Sequence, residues 1–234
     1  LGIPTFYGQA FLPDICELSD EMLPYSKQYF EELIQTGSIR EVRPSFVWYE
    51  ERENFSTEQI GILPKQHINQ GFELLQGKSV FSGEILGGCI DALYDIFSND
   101  RYADTASQCS TYELFPPLAE WKGKILLLET SQERPDPQRY REMLLALKRF
   151  GIFEVISGLL IGKPMNERYA SEYKKLLPEV IENPHLPILW NVNVGHALPR
   201  CIIPFGIPAA VDAREQVIRF KNVQGDKEKR GLGV

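Results

Sequence analysis

The sequence has little of what metalloproteins, nucleic-acid-binding proteins and membrane proteins need. Only four of its 234 residues are cysteine and three are histidine, and none has the spacing of a structural zinc site or a disulfide framework. Lysine and arginine number 25 against 32 acidic residues, a net charge of −7, so no basic surface for nucleic acid is expected. No apolar run approaches the ~20 residues of a membrane-spanning helix. We therefore expect no structural zinc, no nucleic-acid partner and no membrane association.

What the chain does have is the composition of a folded globular protein. Apolar residues make up 43% and charged residues 24%, and the length is enough for one large domain or two small ones. The second half alternates short apolar runs with longer polar segments. This rhythm predicts three buried strands separated by two helices, hence a mainly parallel α/β sheet. The segments are strands at 124–130, 155–162 and 186–193, and helices at 137–150 and 166–182.

The first half has a weaker pattern. A helix is predicted up to residue 36, beginning at Ser19 or Asp20, and it ends before a glycine. Residues 40–69 lack helical periodicity, and we interpret them as short strands within a long loop. The glycines of segment 83–88 are interpreted as a turn that leads into a helix at 89–97.

Two polar side chains are predicted at the carboxyl ends of the parallel strands, where such sheets bind ligands. Glu129 follows the first apolar run directly, and His196 follows the third. A carboxylate beside an imidazole can orient the ring and stabilise its protonated form, while the histidine acts as general base. The structural alternative, a capping glutamate and a hydrogen-bonded histidine, stays open at this point.

A nucleophile to complete such a site is not evident. No serine stands in a G-x-S-x-G elbow, and no cysteine lies in an obviously activating context. The amides of Gly87 and Gly88 could meet a ligand carboxylate, although close packing is the simpler explanation. Trp48 could stack on a flat ligand or anchor its own loop. We expect a segment upstream of Leu1 to supply what is missing.

Four motifs occurring in order resemble the LD-carboxypeptidase family of serine peptidases. They are ILGGCIDAL, WKGKILLLETSQERPDP, GLLIGKP and LPILWNVNVGHALPRCIIPFG. The family includes murein tetrapeptide carboxypeptidases and microcin C self-immunity peptidases, and ETSQERPDP is more similar to the self-immunity group. The resemblance runs from TFYG, residues 5–8, to about residue 220.

The resemblance implies a Ser–His–Glu triad with Glu129 and His196 as two of its members. The family serine lies in a Gly-x-Ser-Asp motif upstream of the TFYG-like segment, and so before Leu1. Cys89 stands where the family commonly has asparagine after two glycines, so that ligand hydrogen bond is expected to differ. Trp48 resembles a tryptophan that covers the substrate, and Arg134 is available to bind a carboxylate. We therefore count Gly87, Gly88 and Cys89, together with Trp48 and Arg134, as candidate substrate-binding residues.

The family pattern also predicts the organisation of the chain. Residues 1–42 would end an N-terminal α/β domain, 43–70 would form a connecting loop, 71–220 a C-terminal α/β domain, and 221–234 a flexible tail. Family members are cytoplasmic and dimeric and use no metal or cofactor. We expect a cytoplasmic homodimeric hydrolase that acts on a murein-derived peptide or a peptidyl-nucleotide antibiotic. The alternative is a non-catalytic ligand-binding α/β domain.

Overall fold

An eight-stranded mixed sheet organises the chain in a computed structural model that describes residues 3–221. The strands lie in the order β2-β12-β11-β6-β7-β8-β9-β5, and two two-stranded sheets, β1-β10 and β3-β4, flank it. The strands are β1 (Thr5–Tyr7), β2 (Glu41–Val42), β3 (Val47–Tyr49), β4 (Gln66–Ile68), β5 (Glu73–Gln76), β6 (Val80–Cys89), β7 (Ile125–Glu129), β8 (Gly158–Gly162), β9 (Ile188–Val192), β10 (Ile203–Phe205), β11 (Pro208–Asp212) and β12 (Val217–Phe220). The α-helices are α1 (Pro24–Thr36), α2 (Ile90–Ser98), α3 (Thr105–Thr111), α4 (Pro137–Phe150) and α5 (Ala170–Ile181).

The centre of the sheet is parallel, as the strand–helix alternation predicts. Strands β6, β7, β8 and β9 run in the same direction, and the outer strands are antiparallel. Every residue of β7, β8 and β9 is buried, which explains why these strands are apolar runs rather than alternating patterns. The predicted mainly parallel α/β fold is confirmed.

Successive residues of β7 point into two different cores. Leu126 and Leu128 pack with the apolar faces of α4 and α5, whereas Ile125 and Leu127 pack on the opposite face with residues of α1, β11 and β12. The strand is therefore fixed in register from both sides, because a slip by one residue would exchange its two faces. The residue at its end, Glu129, is fixed with it.

The glycine turn predicted at 83–88 is wrong. These residues belong to β6, a strand of ten residues that pairs in parallel with β7. A Cβ on Gly87 would lie 2.1 Å from the carbonyl oxygen of Leu127, and its φ is 140°. The glycine thus permits close backbone approach inside the sheet, a use that composition alone does not separate from a turn.

Several boundaries differ from the prediction for local reasons. Helix α1 begins at Pro24, which occupies the first helical turn, a position that favours proline because its missing N–H needs no partner there. The helix predicted from residue 166 begins at 170, after a short 3₁₀ turn at Met165–Glu167. Strand β11 and helix α3 were not predicted from the sequence.

The first part of the chain pairs with its last part. Strand β1 lies antiparallel to β10, and β2 lies antiparallel to β12. The division of the chain at residues 42 and 70 remains a prediction. The tail predicted at 221–234 lies, apart from its first residue, outside the described residues. Within residues 3–221, no helix is long and apolar enough to cross a membrane.

Candidate active site

Glu129 and His196 meet at the carboxyl edge of the parallel strands. Glu129 ends β7 and is 1% exposed, and His196 lies in the loop after β9. The Nδ1 atom of the imidazole is 2.8 Å from Oε2 of the carboxylate, and the backbone N–H of His196 donates to the same oxygen at 3.2 Å. A proton on Nδ1 leaves Nε2 free to accept one from another group. The geometry is that of a histidine oriented for general-base work, while its catalytic role stays a prediction.

Two glycines make room for this contact. Gly195 has a φ of 93°, and a Cβ on it would lie 2.4 Å from Oε2 of Glu129. On the other side, a Cβ on Gly162 would lie 2.6 Å from the Cβ of Glu129. Any side chain at either position would displace the carboxylate. Gly195 therefore allows the carboxylate of Glu129 to reach the imidazole of His196.

The second oxygen of Glu129 is held by Tyr7. The phenol donates to Oε1 at 2.7 Å. Burial, and after it the negative charge of Glu129, raises the pKa of Tyr7 far above its ordinary value, so the hydroxyl stays protonated and acts as donor. Sequence reasoning missed this role, because 122 residues separate the two side chains.

A second missed residue supports the backbone of the histidine. Arg200 is 8% exposed. Its Nη2 donates to the carbonyl oxygen of His196 at 2.7 Å, and its Nη1 donates to Oδ2 of Asp14 at 2.7 Å. The planar guanidinium thus links the loop that carries His196 to the N-terminal segment, a bridging geometry that suits arginine.

A small cleft opens beside His196. One of its walls contains a buried ion pair, in which Arg52 Nε lies 2.5 Å from Glu17 Oε1 and both side chains are 3% exposed. The other walls mix aromatic, apolar and polar groups, the usual make-up of a ligand site. The lining residues are Pro13, Glu17, Tyr49, Glu51, Arg52, Phe55, Met165, Asn166, His196, Ala197, Leu198 and Arg200.

Trp48 does not line this cleft. It is 7% exposed, its ring stacks on His67 with centroids 4.2 Å apart, and Lys163 Nζ lies 5.0 Å from the ring centroid. Burial lowers the pKa of Lys163, although the hydrogen bond to Glu167 opposes the shift. These contacts describe a packed side chain. The substrate-covering role expected from the resemblance remains a prediction.

The remaining candidates lie at two places around the site. Arg134 forms an ion pair with Glu51, a residue of the cleft wall, so its charge is already matched. Cys89 ends β6 and precedes α2. Ligand atoms of Cys89, Glu129 and His196 all lie within 4.8 Å of one another. Burial, followed by the charge of Glu129, raises the pKa of the Cys89 thiol to about 12, which does not favour a free thiolate nucleophile.

Gly87 and Gly88 place the backbone of β6 beside Cys89, Glu129 and His196. Both have φ near 140°, and a Cβ on Gly88 would lie 3.3 Å from the ring of Tyr7. The two glycines therefore let β6 approach β7 and the tyrosine closely. Binding of a ligand by their amides stays a prediction.

Comparison with known proteins places these motifs in a family. The model of the LD-carboxypeptidase C-terminal domain matches residues 82–211, more than half of the chain. A carboxypeptidase homologue from Vibrio cholerae is 22% identical over 230 residues, covering 94% of this chain and 61% of that protein.

Solved structures agree with the fold. An MccF-like protein from Streptococcus pneumoniae in complex with AMP matches with a TM-score of 0.92 at 59% identity, covering 94% of this chain and 64% of that one. The microcin C7 self-immunity protein MccF in complex with aspartyl sulfamoyl adenosine matches with a TM-score of 0.72 at 20% identity, covering 94% and 62%. The chain thus spans less than two thirds of the length of these relatives. With the family's C-terminal domain occupying more than half of its residues, this chain belongs to the LD-carboxypeptidase family.

Proposed function

We propose that this chain carries the acid–base half of a serine-type, carboxypeptidase-like hydrolase. The observation that carries the proposal is the 2.8 Å contact between Nδ1 of His196 and Oε2 of Glu129 at the mouth of a cleft. His196 takes the proton of the attacking hydroxyl through Nε2 and passes it to the leaving amine. Glu129 fixes the ring and stabilises the imidazolium.

The serine is assigned to a segment upstream of Leu1. This assignment rests on the family resemblance, in which the serine motif precedes the TFYG-like strand. The surface near that strand supports it, because apolar side chains lie open there: Ile3 is 65%, Phe11 is 66% and Leu12 is 73% exposed. A covering segment would bury them.

The favoured substrate is an amide that joins an amino acid to a nucleotide-like group. The support is the relative at 59% identity, whose structure contains AMP. The cleft offers the exposed aromatic ring of Phe55, on which a base can stack, beside the buried side chains of Tyr49 and Met165. A murein tetrapeptide ending in D-alanine is the comparison substrate. A cytoplasmic homodimer without metal or cofactor completes the proposal, on the family resemblance alone.

The test compares the 234-residue chain with a version extended upstream to include a Gly-x-Ser-Asp motif. Hydrolysis of aspartyl sulfamoyl adenosine and of the tetrapeptide is followed by chromatography. We expect turnover only from the extended protein. His196→Ala in that protein should lower kcat at least about 10²-fold, the usual contribution of a general base. His185→Ala, a change at an exposed histidine, is the matched control and should leave kcat unchanged.

Three other results would change the assignment. Turnover by the 234 residues alone, abolished by His196→Ala, would place the nucleophile within this sequence. An active extended protein that is indifferent to His196→Ala would remove the histidine from the mechanism. AMP binding by an extended protein without turnover on either substrate would favour the non-catalytic ligand-binding alternative.

A further inference from the structure

Three side chains with metal-binding atoms converge at the carboxyl edge of the sheet. The Sγ atom of Cys89, a carboxylate oxygen of Glu129 and a ring nitrogen of His196 lie within 4.8 Å of one another. They come from the ends of β6 and β7 and from the loop after β9. Because forty or more residues separate each from the next, sequence spacing could not reveal the cluster.

The three donor groups favour Zn²⁺ over Mg²⁺ and Ca²⁺. Thiolate, imidazole and carboxylate are the donors that Zn²⁺ takes in proteins. Mg²⁺ and Ca²⁺ prefer sets made only of oxygen, and this cluster has a single carboxylate. Three protein donors leave a fourth tetrahedral position for water, the pattern of open rather than closed zinc sites.

The surroundings supply two further requirements of a metal site. The first is support for the donors: Tyr7 holds Oε1 of Glu129, and outer contacts of this kind orient ligating groups. The second is an entry path. The side chain of Glu129 is fully buried, whereas that of His196 is 34% exposed, so an ion can reach the cluster from the histidine side.

We propose that Cys89, Glu129 and His196 bind one zinc ion. On binding, the S–H bond of Cys89 breaks, its proton passes to solvent, and a sulfur–zinc bond forms. The carboxylate and the neutral imidazole donate lone pairs without further loss of protons, and no electron is transferred. The bound ion occupies the pair that the proposed hydrolase uses as base and orienting acid, so zinc acts as an inhibitor of that site. The binding itself does not depend on the proposed function.

The test uses Co²⁺ as a spectroscopic probe on the 234-residue chain. A cobalt–thiolate bond gives strong charge-transfer absorption, and tetrahedral Co²⁺ gives visible d–d bands. We expect both signals to saturate at one equivalent per chain and to disappear when one equivalent of Zn²⁺ is added. Mg²⁺ in large excess should not remove them.

Variants assign the signal to the cluster. Cys89→Ala and Cys89→Ser should each abolish the charge-transfer band, and His196→Ala should abolish the tetrahedral d–d bands. Cys109→Ala is the matched control, because Cys109 is another partly exposed free cysteine, and it should retain both. Far-UV circular dichroism verifies that each variant is folded, and the serine variant preserves the size of the side chain.

The outcomes that overturn the proposal are direct. A wild-type chain without a thiolate band at one equivalent of Co²⁺ refutes it, whatever the variants do. A band that persists in both folded Cys89 variants places the metal on another cysteine and refutes it as well. Neither result bears on hydrolysis, so failure here is distinguishable from failure of the proposed function.

Discussion

Gly195→Ala is the substitution that most directly tests how the acid and the base are brought together. The added methyl would lie 2.4 Å from Oε2, 2.5 Å from Cγ and 2.6 Å from Cδ of Glu129. All three distances are shorter than real Cβ atoms show. The carboxylate cannot retreat freely, because Tyr7 holds its other oxygen and Gly162 lies against its Cβ. We expect the contact between Glu129 and His196 to be lost or distorted.

The loss of folding stability in Gly195→Ala has two parts that can be measured separately. A non-glycine residue at positive φ costs roughly 1–2 kcal/mol, and overpacking a filled interior costs about 1–3 kcal/mol more. Gly195→Ala should thus destabilise the fold by about 2–5 kcal/mol. Gly37 also has a positive φ, 68°, but nothing lies within 4 Å of a Cβ built there. Gly37→Ala therefore carries only the backbone cost, about 1–2 kcal/mol.

Urea unfolding of the two variants and the wild type measures both parts. The difference between the variants isolates the clash with the carboxylate. The Nδ1–H resonance of His196, assigned with His196→Ala, reports the hydrogen bond independently and should shift or vanish only in Gly195→Ala. If Gly195→Ala costs no more than Gly37→Ala and the resonance is unchanged, the glycine is not what admits the carboxylate.

Three further changes test the surroundings of the site. Tyr7→Phe should cost about 1.5–3 kcal/mol in urea unfolding, because a buried carboxylate oxygen loses its donor; a neutral result would mean that solvent replaces the phenol. Glu17→Gln should cost about 3–5 kcal/mol at neutral pH, since it removes the counter-charge of a buried arginine. Burial raises the pKa of Glu17, but the arginine and a serine outweigh burial and hold it below the ordinary value. The ion pair therefore stabilises the fold above the unfolded pKa, and this advantage should vanish as pH falls through the folded pKa; a difference constant with pH would contradict the assignment. Trp48→Ala should cost about 3–5 kcal/mol if the ring is packed, whereas Phe46→Ala, a change at a side chain that is 91% exposed, should cost little. Equal, small effects would favour the substrate-covering role.

The sequence could predict the parallel centre of the sheet because local chemistry alone determines it. An apolar run such as Ile125–Glu129 is buried on both faces, and such runs have few alternatives to an inner parallel strand. Once the order strand, helix, strand is assigned, the right-handed rule brings Glu129 and the loop carrying His196 to one edge. Topology therefore brings these two residues to one edge, and Gly195, next to His196, leaves the room for their contact.

The features that the sequence did not predict depend on contacts between residues far apart in the chain. Glycines in β6 resemble a turn until the carbonyl of Leu127 is known to lie against them. Tyr7 and Arg200 become important only when the N-terminal segment is placed beside the sheet edge. Trp48 is aromatic and lies in a segment without helical periodicity, a pattern that fits either a lid or a core residue. Its stacking on His67 depends on the pairing of β3 with β4, which no local pattern announces.

The carboxylate of Glu129 joins three separate parts of the chain: β7 carries it, Tyr7 from β1 holds Oε1, and His196 holds Oε2. A buried charge is tolerated only when its hydrogen-bonding needs are met, so each partner contributes to folding as well as to the orientation of the imidazole. Loss of activity in a variant of Tyr7 or Gly195 would consequently not identify a catalytic group by itself. A positioning residue is distinguished from a catalytic residue by comparing the loss of kcat with the loss of stability. A positioning residue should lower stability and kcat together. His196→Ala also removes a partner of the buried carboxylate, but because it removes the base Nε2 as well, it should lower kcat by more than its loss of stability accounts for.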